Sequence, residues 1–230
     1  MDQFDSIRPY NDDEVAAVLQ RLLADADFLS MITQYRFPTA SRYIDWLLRP
    51  ITAWKLRNEI RKVHSGAALQ KRIEAYVEQS ISQVTDGISF SGIEHLQTGK
   101  PHLYLANHRD IVMDPAFVNY ALFQAKLSTP RIAIGDNLLQ RPFVSDLMRI
   151  NKSFIVHRSL TNRREKLTAF QLLSAYINHS ILHDQESIWI AQAEGRAKDG
   201  DDRTESAILK MFHLSRKDEN FQAVIASLQL

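Results

Sequence analysis

Residues 102–115 read HLYLANHRDIVMDP, and this stretch decides the fold class. A short apolar run from Leu103 to Ala106 is followed at once by polar residues and then by Pro115, which suits the first turn of a helix. The same passage from strand to helix recurs downstream. The apolar runs RIAIG at 131–135, SFIV at 153–156 and SIWIAQ at 187–192 alternate with helical stretches at 115–126, 137–149 and 162–182. ISFSG at 88–92 adds one more strand ahead of them. The order β-β-α-β-α-β-α-β predicts an α/β domain built on a largely parallel sheet with helices on both faces. In such sheets ligands bind beyond the carboxyl ends of the strands.

Upstream the rhythm is helical. Apolar residues recur at three- and four-residue spacing from Val15 to Met31 and again at Ile73, Val77, Ile81 and Val84, with Asp12 or Asp13 as N-cap. The chain thus divides into an N-terminal helical region, 1–86, and an α/β domain, 87–230. Charge is unevenly spread. Residues 1–35 hold seven acids against two bases, whereas 36–62 hold seven bases (Arg36, Arg42, Arg49, Lys55, Arg57, Arg61, Lys62) against two acids. The basic stretch also carries Tyr43, Trp46 and Trp54, with Tyr35 just ahead of it, a composition that suits either a solvated helix face or an anionic membrane surface.

Composition removes several functions. The 230 residues are 45% hydrophobic and 24% charged, an ordinary globular balance. There is no cysteine, so thiolate zinc sites, redox dithiols, iron–sulfur clusters and cysteine nucleophiles are excluded. A formal net charge of +1 speaks against a nucleic-acid partner. No run approaches the ~20 apolar residues of a spanning helix, and MDQFDSIRPYNDDE lacks the basic end and apolar middle of a signal peptide. The expectation is a cytoplasmic protein, peripheral to a membrane at most.

Three polar constellations follow strands. In the first, Asn107-His108-Arg109-Asp110 and Asp114 bracket the start of a helix, and a carboxylate there can hold one ring nitrogen of His108 and leave the other as a base. Either a catalytic pair or a helix-capping pair fits. A metal site on His108, Asp110 and Asp114 is not expected, since no second histidine stands nearby and hard cations prefer several oxygens. The second is FIVHR, a buried-looking strand ending at Arg158, and the third is EGRAKDG at 194–200, a charged loop bracketed by glycines. Arg158 and Arg196, at successive strand ends, match the oxygens of one phosphate.

In this order the blocks resemble the glycerolipid acyltransferase superfamily, which includes lysophosphatidic acid and glycerol-3-phosphate acyltransferases. NHRDIVMDP resembles the family's first motif, a His and an Asp with four residues between them, except that five residues intervene here. The resemblance maps His108 and Asp114 onto that motif and leaves Asp110 as a rival for the Asp. FIVHR resembles the second block and maps Arg158. EGRAKDG resembles the third, with its Thr absent, and maps Glu194, Gly195 and Arg196. The family's fourth block, a strand with a proline, would fall soon after position 225, where the chain reads AVIASLQL, so the last strands of the domain are expected to be missing.

The resemblance implies transfer of a fatty acyl group from acyl-CoA or acyl carrier protein to a hydroxyl of a glycerol phosphate or lysophospholipid, with no cofactor. His108 would be the general base and Asp114 or Asp110 its orienting partner. Arg158 and Arg196 would hold the phosphate and Glu194 the glycerol, with Asn107, Arg109 and Gly195 completing the substrate site. Amides at the start of the 115–126 helix would steady the oxyanion. Without cysteine or a GxSxG elbow, transfer would be direct. A non-catalytic anion- or partner-binding module and a thioester or ester hydrolase remain the alternatives.

Overall fold

A computed structural model of the chain describes residues 3–199 and 203–230. The chain divides into two compact units, each with its own core.

The helical unit runs from Pro9 to Ile73 and takes in 138–152. It holds α1 (Asp12–Ala24), α2 (Ala26–Arg36), α3 (Ser41–Ile60), the first part of α4 (Gly66–Val84) and α6 (Pro142–Ile150). Val15, Val18, Leu19 and Leu22 recur at three and four residues along α1, so one stripe is buried, and it joins Phe28, Val63, Leu69, Phe143 and Ile150 in a single cluster. The N-cap of α1 is Asn11 rather than Asp12 or Asp13. Glu14, three residues on, accepts the Asn11 N–H at 2.7 Å, and Asp12 accepts the N–H of Gly66 at 2.9 Å instead. The 137–149 helix of the sequence reading is two elements: a single 3-10 turn, Asp136–Leu138, and then α6 with Pro142 at its first position.

The second unit contains residues up to Arg8, then 74–137 and 153–230. Its sheet has four strands, β1 (Leu103–Ala106), β2 (Arg131–Gly135), β3 (Ser153–Val156) and β4 (Ile188–Ala191), in the order β1-β4-β2-β3, all parallel. Helices α5 (Met113–Gln124), α7 (Arg163–Leu182), α8 (Ser206–His213) and α9 (Phe221–Ser227) lie around it. β4 is central, and Ile188, Trp189 and Ile190 are all buried, as a strand covered on both sides requires. Beneath it Leu173, Tyr176, Ile177 and Ile181 of α7 cluster with Phe154, Phe212 and Leu228. Edge strand β3 is not bare: the Ile155 N–H donates to the Ile7 carbonyl at 2.9 Å, and Phe4 and Ile7 are buried there.

Residues 88–92 do not form the expected first strand. Phe90 sets its ring against Tyr120 of α5 (centroids 6.1 Å apart) and is 39% exposed, and the segment, bounded by Gly87 and Gly92, passes into a 3-10 turn at Ile93–His95 without ladder bonds. Two apolar side chains in alternation were too few to commit it to a sheet. No described helix is long and apolar enough to cross a membrane.

In the helical unit, Asp146 of α6 accepts from Arg21 through both oxygens (2.9 and 3.0 Å) and from the Tyr10 hydroxyl at 2.7 Å. Partial burial pushes this carboxyl up, but Arg21 and Tyr10 outweigh that and hold it below the ordinary carboxylate range. The folded form therefore gains stability from Asp146 that is fully present above the unfolded pKa of about 4 and is lost as the pH falls through the lower folded value. Asp146→Asn is expected to cost on the order of 1 kcal/mol at pH 7 and to flatten the loss of stability between pH 5 and 3, measured by urea denaturation.

Candidate active site

The carboxyl ends of four parallel strands lie along one edge of the sheet, and each releases a polar loop there. The loop after β1 carries His108, which is half-buried. Its Nδ1 lies 2.9 Å from Oδ2 of Asp114, in the first turn of α5. The same oxygen accepts the backbone N–H of Arg109 at 2.6 Å and of Asp110 at 3.0 Å. Three donors converge on one carboxylate oxygen, so the Nδ1 proton points at Asp114 and the lone pair is left on Nε2. On its other side the imidazole meets the indole of Trp189 edge to face, at 5.8 Å and 77°.

Asp110 does something else. Its Oδ1 accepts the N–H of Met113 at 2.8 Å and of Val112 at 2.9 Å, capping α5. Those amides hold its carboxyl below the ordinary range, Met113 most strongly, with the nearby Arg196 charge adding to the effect. Asp110 thus turns to the helix and Asp114 to the ring.

The caps have a further consequence. The Asp114 N–H reaches back to the Asp110 carbonyl at 3.4 Å, Pro115 has no N–H, and that of Ala116 donates to the Val112 carbonyl at 3.2 Å. Together with the two amides taken by Asp110, every backbone N–H from 112 to 116 is engaged or absent. The first turn of α5 has no spare donor for an oxyanion, contrary to the expectation from sequence.

The other two constellations arrive at the same edge. Arg158, just past β3, pairs with Glu194 at 3.2 Å, although Glu194 is 77% exposed. The loop after β4 is fastened to the first loop by the Ala197 N–H, which donates to the His108 carbonyl at 2.6 Å. Gly195 turns that loop at a φ of 83°, where a side chain would be strained. Arg196 and Arg109 are exposed and Asn107 is half-buried. Gly200, which closes the EGRAKDG loop in the sequence, lies outside the described residues. Sequence reasoning passed over Trp189, visible only as one more apolar residue of a strand, and Gly135-Asp136 at the end of β2. The signal for the latter was positional: a glycine and a carboxylate where a strand of this sheet stops.

A family model described as acyltransferase matches residues 87–221, which covers all three constellations. Among curated proteins none matches the chain.

Replacing Asp110 separates the two carboxylates. Asp110→Ala is expected to lower the melting temperature while Asp110→Asn, which still accepts two amides, retains most of the cap. The wild-type cap is fully formed above pH ~4 and is lost as acid titrates the lowered carboxyl, so the Asp110→Ala difference should shrink at low pH in thermal melts.

Proposed function

Because the chain belongs to the glycerolipid acyltransferase family, we propose that it moves a fatty acyl group from acyl-CoA or acyl carrier protein to a hydroxyl of a glycerol phosphate or lysophospholipid. One observation carries the reading: the 2.9 Å contact of His108 Nδ1 with Asp114, which leaves Nε2 as a base at the strand edge where Arg158 also emerges. Nε2 takes the proton of the acceptor hydroxyl as its oxygen attacks the thioester carbonyl. Collapse of the tetrahedral adduct breaks the C–S bond, and the imidazolium returns the proton to the leaving thiolate. The Asp114 carboxylate steadies the imidazolium between these steps. The sequence holds no cysteine and no GxSxG elbow, so the acyl group passes directly to the acceptor. Arg158 and Arg196 grip the phosphate, Glu194 hydrogen-bonds the glycerol, and Asn107, Arg109 and Gly195 line the approach.

We propose further that the enzyme works on the cytoplasmic face of an anionic membrane. Along α3 beyond its kink at Ile44, Trp46, Leu47, Ile51 and Trp54 recur on one face and are exposed, the two tryptophans to 73% and 65%, and Tyr43 ahead of the kink is exposed as well. Both acids of the basic segment are already paired, Asp45 with Arg49 and Glu59 with Arg36, whereas Arg42, Lys55, Arg57, Arg61 and Lys62 are exposed. An aromatic face flanked by exposed cations fits a lipid interface, each cation contributing on the order of 1 kcal/mol.

Thiol release from palmitoyl-CoA or the acyl carrier protein thioester, with a panel of glycerol-phosphate acceptors, tests the reaction; the protein has no thiol of its own. Acceptor-dependent release is expected, falling by roughly 10²–10⁴-fold in His108→Ala and by less in Asp114→Ala. Asp110→Ala is expected to lose far less than either. Release without acceptor would mean a hydrolase, and binding of the phosphate acceptor with no turnover from either donor would mean a binding module. Vesicle sedimentation tests the surface: binding should require anionic lipid and weaken as salt rises, and Trp46→Ala with Trp54→Ala should weaken it at every salt concentration. Equal binding to neutral vesicles would overturn the electrostatic part.

A further inference from the structure

Asp136 directly follows β2, and its carboxylate is the hub of the turn that leaves β3. Oδ1 accepts the backbone N–H of Arg158 at 3.0 Å and of Ser159 at 3.2 Å. Oδ2 accepts the Ser159 hydroxyl at 2.5 Å and lies 3.4 Å from His157 Nδ1. Three consecutive residues just past β3 are thus tied to a single side chain just past β2, beginning one step beyond the paired residues Gly135 and Val156. Partial burial pushes this carboxyl up, but the Ser159 hydroxyl and the Arg158 and Ser159 amides outweigh it and hold it below the ordinary range. The residue before it supplies room. A Cβ on Gly135 would collide with Asn137 Oδ1 and come within 3.0 Å of Arg158 Cδ, so the stem of Arg158 passes the end of β2 through space that a glycine leaves.

We infer that Asp136, with the space at Gly135, is the positioning residue that aims Arg158 at the phosphate of the acceptor. The inference rests on the acceptor reading given above. Asp136 is not itself a phosphate ligand: its oxygens are spent on donors of the turn, and a carboxylate would repel the anion. It acts through the Arg158 backbone, fixing where the guanidinium stem starts, which matters because a forked ligand grips an oxyanion only in a narrow range of orientation.

Calorimetric titration of the full chain with glycerol 3-phosphate and with octanoyl lysophosphatidic acid distinguishes a bare headgroup from a lipid acceptor, and mono-octanoylglycerol is the phosphate-free control. Arg158→Ala is expected to weaken both phosphate probes by roughly 10-fold or more, and Asp136→Ala by roughly 5–10-fold. Asp136→Asn keeps an acceptor for the two amides and a donor for the Ser159 oxygen, so it should stay within about 3-fold of the parent. In an Arg158→Ala background, Asp136→Ala should add less than about 2-fold, since both changes remove one aimed guanidinium. Mono-octanoylglycerol should bind all variants alike. Should Asp136→Ala fail to fold, Ser159→Ala reads the same coupling on a smaller scale, roughly 2–3-fold alone and nothing beside Arg158→Ala. If Arg158→Ala binds the phosphate probes like the parent, the acceptor reading falls and the inference with it. If Arg158→Ala weakens binding while Asp136→Ala does not, or the two losses multiply in full, the positioning role alone is overturned.

Discussion

Strand β4 hydrogen-bonds on both sides: Ile188 is in register with Leu103 of β1 and with Arg131 of β2. This double pairing brings the His108 loop alongside the others. Without β4, β1 has no partner in the sheet, and the loop that follows it has no fixed relation to the ends of β2 and β3. Burial enforces the register, since a slip by one residue would turn Ile188 and Ile190 to the face now held by Trp189. Trp189 in turn backs the His108 ring, so a residue chosen for packing also sets the wall of the site.

Within that frame the chemistry is a matter of which donors each carboxylate collects. Asp114 gathers a ring nitrogen and two amides on one oxygen, Asp110 gathers two helix amides, and Asp136 gathers two amides and a hydroxyl. Each is a short side chain at the edge of a loop, where unpaired backbone N–H groups are most numerous. The loops after β1 and β3 are held by such anions, whereas the loop after β4 is held by a glycine turn and by the Ala197 amide on the His108 carbonyl. In the first of these loops the anion holds the His108 ring by one nitrogen, and in the second it holds the backbone from which the Arg158 side chain starts.

Much of this was legible in the residues. The four strands of the sheet could be read because each is a short, nearly unbroken apolar run followed by a polar loop, a pattern dictated by burial on both faces. ISFSG misled because alternation reports that one side of a segment is apolar, not that a partner strand exists. At the start of α1, three residues in a row can cap, and the choice of Asn11 depended on Glu14 standing three positions later. The rivalry of Asp110 and Asp114 could not be resolved by spacing, because both lie within reach of the loop; the direction in which α5 starts gives the ring to one and the amides to the other. Asp136 was invisible for a related reason, since its partners belong to the turn after β3, 21–23 residues away in the chain.

The position of β4 also bears on how the chain is made. It is central in the sheet but the last of the four strands to leave the ribosome, after the 20 residues of α7. Until then β2 and β3 can zip together, while β1 waits with both of its edges open for some eighty residues of synthesis. An apolar strand exposed for that long invites pairing with the wrong chain. At translation speeds of roughly 5–20 residues per second the interval is about 4–16 seconds, long enough for a chaperone that shields LYLA to raise the yield of folded protein.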